Sequence, residues 1–516
     1  MKKHIFLTTL AVILAAISTS CLKDRGNYDY KTLVPIQISN LDTVIAQERL
    51  TQLVLNPTVT QNGSDANLTF EWRLRDNRNV PDPLTGVFIN KVIGTSKNLS
   101  FLLDLPARRY HLILYVTDKT TGVIVAHQID LVVQSIVPQG LLVFSGNATS
   151  GDVSIVVNPL LNAVIPGFTD DFVRHNVFSV NNGGMRTAGA PARIIHIPGA
   201  DLNYIATFVE GPTGGYLLSA GDMTIQGDYS RFFWEAPATA NFQAINTWQT
   251  NLVLMNNGNM HRCNQSDPVL FIPFGPPGFG QNFTPAPFIG TNGGIPGVFY
   301  DMASKRFMYM TAGAEIVLFQ NTQGAGFNPN NVGKEMVYAE LGPFNRWYCV
   351  MQDEGDPTTR RIYVMDLPAG IWGPANNIGR EIIDISTNPG MNNASFFAFG
   401  GGARGNAWYY VTGTEVYASA LNTPSNLIYD LSANYAGYEV TLLRVFKHPT
   451  GNPVNVLNPI TPGDSRLLFV GIYNSATSSG ILLQFEVNEH DGSLTNPNPT
   501  VYTGFERIID VAYKRI

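Results

Sequence analysis

The sequence predicts an all-β protein in which an immunoglobulin-like sandwich is followed by a β-propeller. Three observations support this fold class. Strand-sized segments rich in aromatic and β-branched residues recur along the chain, turn residues separate them, and no long amphipathic helical pattern stands out. Glycine (48 residues) and proline (32 residues) are abundant, as expected of a chain with many turns.

The first segment, residues 1–20, has the pattern of a secretory signal peptide. Lys2 and Lys3 precede an apolar run at residues 5–17 that is too short to span a bilayer, and small residues follow it. Cys21 comes directly after them, which favours cleavage before Cys21 and acylation of its thiol and its amine. A cysteine that merely lies near an ordinary cleavage site is the alternative. Several acyl chains would anchor the mature protein stably in a membrane.

Residues 21–32 are polar and predict a tether behind this anchor. Within it, the pair Lys23 and Asp24 resembles the surface-export signal of Bacteroidetes lipoproteins, although Arg25 stands where a second acidic residue is usual. A solvated linker without a signal is the alternative. The resemblance implies a protein of the outer membrane that faces the cell exterior.

Residues 33–136 predict a β-sandwich, because strand-like segments follow one another at short spacing. One of them alternates apolar and polar residues around Trp72, and another leads from Tyr110 through Asp118 into a glycine turn. These two segments resemble the PKD domain, an immunoglobulin-like sandwich, in which Trp72 and Tyr110 would be core residues. The predicted strands are residues 34–38, 52–55, 68–74, 99–103, 110–117 and 123–133.

Residues 137–516 contain seven candidate hairpins and therefore predict a β-propeller with seven blades, with six or eight left open. Each hairpin is expected to supply the two middle strands of a blade. The strand-like residues 506–514 are expected to pair with residues 141–144 and so to fasten the ring. The hairpins are residues 140–157, 215–226, 251–263, 306–319, 347–367, 407–421 and 466–487.

The clearest hairpin, residues 407–421, has aromatic and β-branched strands on both sides of Gly413, which supplies the positive φ of a tight turn. Strand alternation sends Trp408 and Tyr410 to one face of the blade and Tyr409 to the other. We therefore expect these aromatic residues to hold neighbouring blades together, and we look for a ligand site in the loops.

The acylated cysteine, the sandwich and the propeller together resemble the PKD-like lipoproteins of Bacteroidetes. The opening Cys-Leu-Lys-Asp-x-Gly-Asn-Tyr-Asp-Tyr is similar to the start of that family. The resemblance implies a partner: such proteins accompany SusC/SusD-like outer-membrane systems that import glycans or peptides. The expected function is a surface lipoprotein that binds ligand or docks on such a system. The alternatives are a propeller-based polysaccharide hydrolase or lyase, and a structural lid or scaffold without its own ligand.

Charge and cysteine content narrow the range of partners. Without residues 1–20, 31 basic and 39 acidic residues remain, so the mature charge of about −8 argues against nucleic acid and anionic lipid head groups as principal partners.

The two remaining cysteines, Cys263 and Cys349, could form a disulfide in this compartment, but two buried thiols are the favoured interpretation.

No motif predicts catalysis, a cofactor or a metal. A His-Glu-x-x-His helix, a Gly-x-Ser-x-Gly elbow and a phosphate-binding glycine loop are all absent from the sequence. His261 and Cys263 would share one strand face and could serve a soft metal, but core or surface placement is favoured. The acidic residues 353–356 and the stretch 488–492 could bind Ca²⁺, and residues 353–356 could also form an acid/base pair, but both are better interpreted as turns.

Aromatic residues in loops are the best candidates for ligand binding. Trp234 and the loop residues Phe274, Phe279 and Phe283 lie beside glycine and proline or in a short aromatic run. A ring on a stiff loop can stack on a sugar or seat a peptide side chain at small entropic cost. For residues 232–234 a strand with core packing is favoured over binding, whereas for residues 274–283 the two interpretations weigh equally.

Overall fold

The computed structural model describes most of the chain after the tether. The predicted signal peptide, Cys21, Lys23 and Asp24 lie outside the described residues. No helix in the described part is long and apolar enough to cross a membrane. The described residues are 33–76, 90–105, 109–135, 137–162, 169–197, 204–248, 251–264, 271–291, 297–320, 326–367, 378–401, 405–447 and 464–514.

The N-terminal part is a β-sandwich. Its largest sheet has the order β2-β9-β8-β5-β6, and two-stranded sheets β1-β4 and β3-β7 accompany it. The strands are β1 (Gln37–Ser39), β2 (Val44–Glu48), β3 (Gln52–Leu55), β4 (Thr58–Thr60), β5 (Leu68–Asp76), β6 (Asn90–Gly94), β7 (Leu99–Leu102), β8 (Arg109–Asp118) and β9 (Ile124–Gln134).

The sandwich core contains the two residues predicted for it. Trp72 and Tyr110 are fully buried in one hydrophobic cluster, and the Trp72 indole N–H donates to the carbonyl oxygens of Ser96 and Lys97 at 3.1 and 3.2 Å. A strand that sequence patterns did not predict is β2, which pairs in parallel with β9.

The C-terminal part consists of seven sheets, here called blades 1 to 7 in chain order. Blade 1 contains β10 (Gly140–Gly146), β11 (Ser150–Val157), β12 (Phe172–Arg174), β13 (Thr187–Ala188) and the last strand β37 (Arg507–Lys514). Blade 2 contains β14 (Pro191–Ile197), β15 (Tyr204–Val209), β16 (Gly215–Ser219) and β17 (Ile225–Asp228). Blade 3 contains β18 (Phe242–Trp248), β19 (Asn251–Asn256) and β20 (Asn259–Asn264). Blade 4 contains β21 (Phe279–Gly280), β22 (Gly297–Asp301), β23 (Arg306–Met310) and β24 (Glu315–Val317).

The remaining three blades have four strands each. Blade 5 contains β25 (Glu335–Leu341), β26 (Trp347–Asp353), β27 (Asp356–Met365) and β28 (Gly379–Asp384). Blade 6 contains β29 (Phe396–Phe399), β30 (Ala407–Thr412), β31 (Glu415–Ala420) and β32 (Asn426–Asp430). Blade 7 contains β33 (Glu439–Val445), β34 (Leu467–Asn474), β35 (Ser479–Glu486) and β36 (Thr500–Phe505). The short helices are α1 (Val177–Asn181) and 3₁₀ turns at Tyr229–Phe232, Pro343–Asn345, Met391–Asn393 and Leu431–Ala433.

Hydrophobic packing joins the seven blades into a ring. Each blade shares one buried cluster with the blade before it and another with the blade after it. The cycle is completed by a cluster that contains Phe469 of blade 7 and Val143 of blade 1. The predicted seven-bladed propeller is therefore confirmed, and a ring of this kind leaves few sheet edges exposed.

The last strand fastens the ring as predicted. β37 pairs antiparallel with β10, and Val511 lies opposite Val143. β37 is the inner edge of blade 1, and it contacts the inner-edge strands β14 and β33 of the blades on either side. The N-terminal and C-terminal ends of the propeller thus meet within a single sheet.

The aromatic hairpin of blade 6 also has the predicted geometry. Gly413 has φ of 58° at the turn between β30 and β31. Trp408 and Tyr410 pack in the cluster shared with blade 5, whereas Tyr409 packs in the cluster shared with blade 7.

Two local predictions are wrong. The hairpin at residues 215–226 forms the outer pair β16 and β17 of blade 2, because β14 and β15 occupy the inner positions. Residues 232–234 do not form a strand: Phe232 ends a 3₁₀ turn, for which the Asp228 carboxylate accepts from the Ser230 backbone N–H. Phe232 and Phe233 are nevertheless buried in the core, as expected.

Polar contacts attach the sandwich to blades 1 and 2. Arg49 forms an ion pair with the buried carboxylate of Asp222, and the Ser135 hydroxyl donates to the Gly221 carbonyl oxygen at 2.6 Å. Arg174 of β12 pairs with Glu48 of β2 at 3.0 Å. These contacts place the sandwich beside the turn between β16 and β17.

Candidate functional site

The four aromatic residues proposed for ligand binding occupy different environments. Trp234 and Phe279 are 72% and 62% exposed, which is unusual for rings of this size. Phe283 is half-buried, and its ring lies 4.8 Å from that of Phe299. Phe274 is fully buried, so its ring packs in the core and is not available to a ligand. The prediction for Phe274 is therefore corrected.

Backbone hydrogen bonds hold the two exposed rings in place. The Trp234 N–H donates to the carbonyl oxygen of Phe274 at 3.0 Å, and the Phe274 N–H donates to that of Phe232 at 2.6 Å. The Phe279 N–H donates to the carbonyl oxygen of Ala314 at 3.1 Å, beside the parallel pair β21 and β24. Both rings thus project from backbone that is tied to a blade.

Residues 274–278, just before Phe279, serve as the outer edge of blade 3. The N–H groups of Gly275 and Gly278 donate to the carbonyl oxygens of Arg262 and Met260 at 2.9 and 2.8 Å. A Cβ at Gly278 would lie 2.9 Å from the terminal methyl group of Met310 and 3.1 Å from the Ala314 carbonyl oxygen, so a side chain there would crowd its neighbours. Because the segment then continues into β21, which pairs with β24, one stretch of chain links blades 3 and 4 and presents Phe279 at the junction.

A second group of polar side chains lies at the centre of the ring. The inner-edge strands β25, β29, β33, β37 and β14 contact one another in that order around the axial channel, the space that the blades enclose. Asp510 of β37 lies 3.2 Å from Arg193 Nε, and it accepts from Arg193 Nη1 at 3.4 Å and from Arg444 Nη2 at 3.3 Å. Arg444 Nη1 donates to the Tyr338 hydroxyl at 3.1 Å. This chain of contacts joins blades 2, 1, 7 and 5 across the channel.

A second ion pair, Glu340 with Lys447, lies next to this chain. The Lys447 amine lies 2.8 Å from the Glu340 carboxylate, which also accepts from the Phe399 N–H at 2.9 Å. Burial would raise the pKa of Glu340, but the positive charges of Lys447 and Arg444 outweigh it and hold the pKa below its usual value. Burial lowers the pKa of Lys447, and Glu340 only partly opposes this effect.

Aromatic rings surround the Tyr338 side chain on the channel side of blades 5 and 6. Its ring lies 5.9 Å from that of Phe397, 5.5 Å from that of Phe288 and 6.5 Å from that of Phe399. Burial is the main cause that raises the Tyr338 pKa, so the hydroxyl stays protonated and can donate as well as accept. Phe397 and Phe399 are buried in the core between blades 5 and 6, whereas Tyr338, which contacts Arg444, and Phe288 are half-buried.

Residues 21–191 match the PKD-like family. The match begins at Cys21, covers the sandwich and includes β10 to β13 of blade 1. The predicted PKD-like resemblance is confirmed over this region, and the propeller accounts for the rest of the chain. No curated protein matches the sequence.

Solved structures that resemble this chain include propellers of low sequence identity. A quinonprotein alcohol dehydrogenase-like protein from Bacteroides thetaiotaomicron VPI-5482 is 11% identical, with 91% of this chain and 96% of that chain covered and a TM-score of 0.40. Apo AztD from Citrobacter koseri is 8% identical, with coverages of 87% and 98% and a TM-score of 0.36. The Cps50 (Swd1) β-propeller domain from Myceliophteria thermophila is 9% identical, with coverages of 61% and 90% and a TM-score of 0.31. Nothing about ligand or activity follows from similarities this low.

The cysteine and histidine candidates beyond the PKD-like region lie in the core. Cys263 and Cys349 are buried thiols in different clusters. His261 is buried, its Nδ1 lies 3.0 Å from the Gly275 carbonyl oxygen, and burial lowers its pKa. The described residues contain no group of three or more His, Cys, Asp or Glu side chains that could hold a metal ion.

The acidic candidates lie in turns, as expected. At the turn between β26 and β27, Asp353 pairs with Lys334, and Glu354 pairs with Lys305 at 2.5 Å. These lysines hold the pKa values of both carboxyls below their usual range. Each of the two carboxylates therefore pairs with its own lysine.

The turn at residues 488–492 borders a cleft of about 530 Å³ on blade 7. Arg466 lines this cleft and donates to both carboxylate oxygens of Glu489 at 2.9 and 2.6 Å. This contact lowers the pKa of Glu489. Because the two charges satisfy one another, the cleft offers a ligand little beyond the exposed His490.

Sequence reasoning missed the axial group entirely. Arg193 and Asp510 are 317 positions apart and share no local motif. One signal was available: Arg444 and Asp510 each lie between apolar neighbours within a strand, and a charged residue in such a position needs a partner. The partner itself becomes visible only once the ring closes.

Proposed function

We propose that this chain is a lipoprotein of the outer membrane, exposed at the cell exterior, which binds a glycan or peptide ligand for a SusC/SusD-like uptake complex or docks on that complex. The family match supports this proposal because it begins at residue 21, the cysteine predicted to carry the acyl chains. The resemblance to PKD-like lipoproteins suggests the transporter as partner.

The observation that carries the binding function is the pair of exposed rings. Trp234 and Phe279 are large apolar surfaces left in water, and hydrogen-bonded backbone holds each of them. An aromatic ring on a rigid support loses little conformational entropy when it stacks on a sugar or an apolar side chain. Rings that served only the propeller core would be buried, as Phe274 is.

The axial carboxylates favour binding over hydrolysis. A glycosidase of the usual kind needs one carboxyl that is protonated near neutral pH and a second one close by. In the channel, Asp510 lies between two arginines, and Glu340 pairs with Lys447. The depressed pKa of Glu340 is the opposite of what a general acid requires.

The test is a binding assay on the mature protein with plant and host oligosaccharides and with peptides. We expect Trp234→Ala and Phe279→Ala each to weaken binding about tenfold or more, the usual effect of removing an aromatic hot spot. Phe344→Ala is the matched control, because this ring is 54% exposed and belongs to blade 5. Unchanged affinity in both variants would remove the rings from the ligand site and favour a scaffold without its own ligand.

A further inference from the structure

The axial channel contains a pair of arginines that share one carboxylate. Arg193 of blade 2 and Arg444 of blade 7 both pair with Asp510. The neighbouring cation Lys447 has its own partner in Glu340. Arg193 and Arg444 thus share the single carboxylate of Asp510, while Glu340 also acts on Arg444, and Asp464 acts on Lys447, through their charges.

Both arginines keep hydrogen-bond donors that the described residues do not use. Arg193 directs Nε and Nη1 to Asp510, and Nη2 has no partner there. Arg444 directs Nη2 to Asp510 and Nη1 to Tyr338, and Nε has none. The Arg193 and Arg444 side chains remain 37% and 25% accessible although they stand on inner strands. Solvent therefore reaches the two guanidinium groups through the channel.

A backbone hydrogen bond also holds the Asp510 carboxylate in place. Its carboxylate is 2% exposed and accepts from the Ile194 N–H at 3.1 Å, so it cannot turn away from the arginines. An incoming anion would thus meet two guanidinium groups that are already oriented. The charges of Asp510 and Glu340 help to raise the pKa of Arg444 despite its burial, and the group stays charged.

We propose that the axial channel binds a carboxylate group of a small ligand between Arg193 and Arg444. A guanidinium fork matches a planar carboxylate, and charge-assisted hydrogen bonds are the strongest available in water-filled sites. The half-buried ring of Phe288, 5.5 Å from that of Tyr338, would contact the body of the ligand, whereas the ring of Phe397 is buried in the core. The site is separate from Trp234 and Phe279, and the proposal extends the proposed binding function by naming a ligand class.

The test compares acids with matched neutral compounds on the wild-type mature protein by calorimetry. Glucuronate against glucose probes an acidic sugar, and N-acetylglycine against N-acetylglycinamide probes a peptide C-terminus. We expect saturable binding of at least one acid and at least about tenfold weaker binding of its neutral counterpart, since the neutral compound loses the charge-assisted hydrogen bonds. Equal binding of acid and neutral compound, or no binding of either acid, would overturn the proposal.

Arginine variants then locate the bound acid. Arg193→Gln should weaken acid binding about tenfold or more, whereas Arg380→Gln, a change of an arginine on blade 5, should leave it unchanged. If Arg193→Gln does not fold, Arg193→Lys keeps the charge but loses the fork, and it should also weaken binding. Full acid affinity in a folded Arg193 variant would contradict the assignment. Arg193→Gln leaves Trp234 and Phe279 unchanged. Loss of acid binding in this variant can therefore be distinguished from loss of the ligand binding proposed for the two exposed rings.

Discussion

Asp118 illustrates how one side chain ends a strand and organises the turn that follows. Its carboxylate accepts from Gln61 and Asn67 side chains at 3.0 and 2.8 Å and from the Thr120 N–H at 2.8 Å. Hydrogen bonds from Gln61, Thr120 and Thr121 lower the pKa of Asp118 to about 2. Asp118, at the end of one of the two segments that resemble the PKD domain, thus has a structural role in the sandwich.

This carboxylate should make the sandwich sensitive to acid. A carboxyl whose pKa is lower in the folded state stabilises the fold fully above its unfolded value of about 4, and the contribution is lost as the pH falls towards about 2. We expect Asp118→Asn to lower the free energy of unfolding near neutral pH, and the difference from wild type to shrink between pH 4 and pH 2. Urea denaturation at a series of pH values measures it. Asp42→Asn, at an exposed position, is the control, and a difference independent of pH would contradict this role.

The environment of a single residue was predictable where neighbours in the sequence determine it, and not where distant segments do. The burial of Trp72 and Tyr110 follows from alternation within a strand, and both predictions are correct. The fate of Phe274 could not be predicted, because its burial depends on backbone pairing with Phe232 of another blade. Exposed and buried aromatic residues look alike in a loop sequence when the neighbouring segment is unknown.

At the scale of elements, the hairpin is the repeated unit, and aromatic stacking joins the units. A ladder of rings runs from Tyr348 of blade 5 through Phe399 to Trp408, Tyr410 and Tyr417 of blade 6, with successive centroids 5.0, 6.0, 5.4 and 5.0 Å apart. The hairpins themselves were predictable because turn residues act locally. Whether a hairpin forms the middle or the outer strands of its blade was harder to predict, because this depends on which strand lies nearest the axis. In blade 2, the hairpin at residues 215–226 forms the outer pair.

Removal of the central ring of this ladder should destabilise the propeller. We expect Trp408→Ala to cost about 3–5 kcal/mol of unfolding free energy, since Trp408 is almost fully buried and the cavity would have no other group to fill it. Chemical denaturation of the mature protein measures this cost. Trp234→Ala, at an exposed tryptophan, should change stability by no more than about 0.5 kcal/mol. Equal losses in the two variants would contradict the assignment of Trp408 to blade packing.

At the scale of the whole molecule, the sandwich lies between the predicted anchor and the propeller in the sequence, and polar contacts join it to blades 1 and 2. The fold class and the pairing of β37 with β10 were predictable, because strand patterns and chain order determine them. The axial group was not, since its members come together only when the ring closes. Arg193, Tyr338 and Arg444 come from three different blades.

The anchor itself gives a direct prediction. Cys21→Ala removes the thiol that the acyl chains require, and several chains are what make membrane attachment stable. We expect the variant to leave the membrane fraction and to appear in the soluble fraction after cell fractionation, with its fold unchanged. Retention of the variant in the membrane at the wild-type level would contradict the lipoprotein assignment.

We propose that this propeller binds its ligand and leaves it chemically intact. The most direct measurement incubates the wild-type mature protein with plant and host glycans and with peptides, and follows binding by calorimetry and product formation by chromatography on the same samples. We expect saturable binding of at least one member of the panel and no cleavage product. Time-dependent release of shorter glycans or peptides would contradict the claim and establish an enzyme.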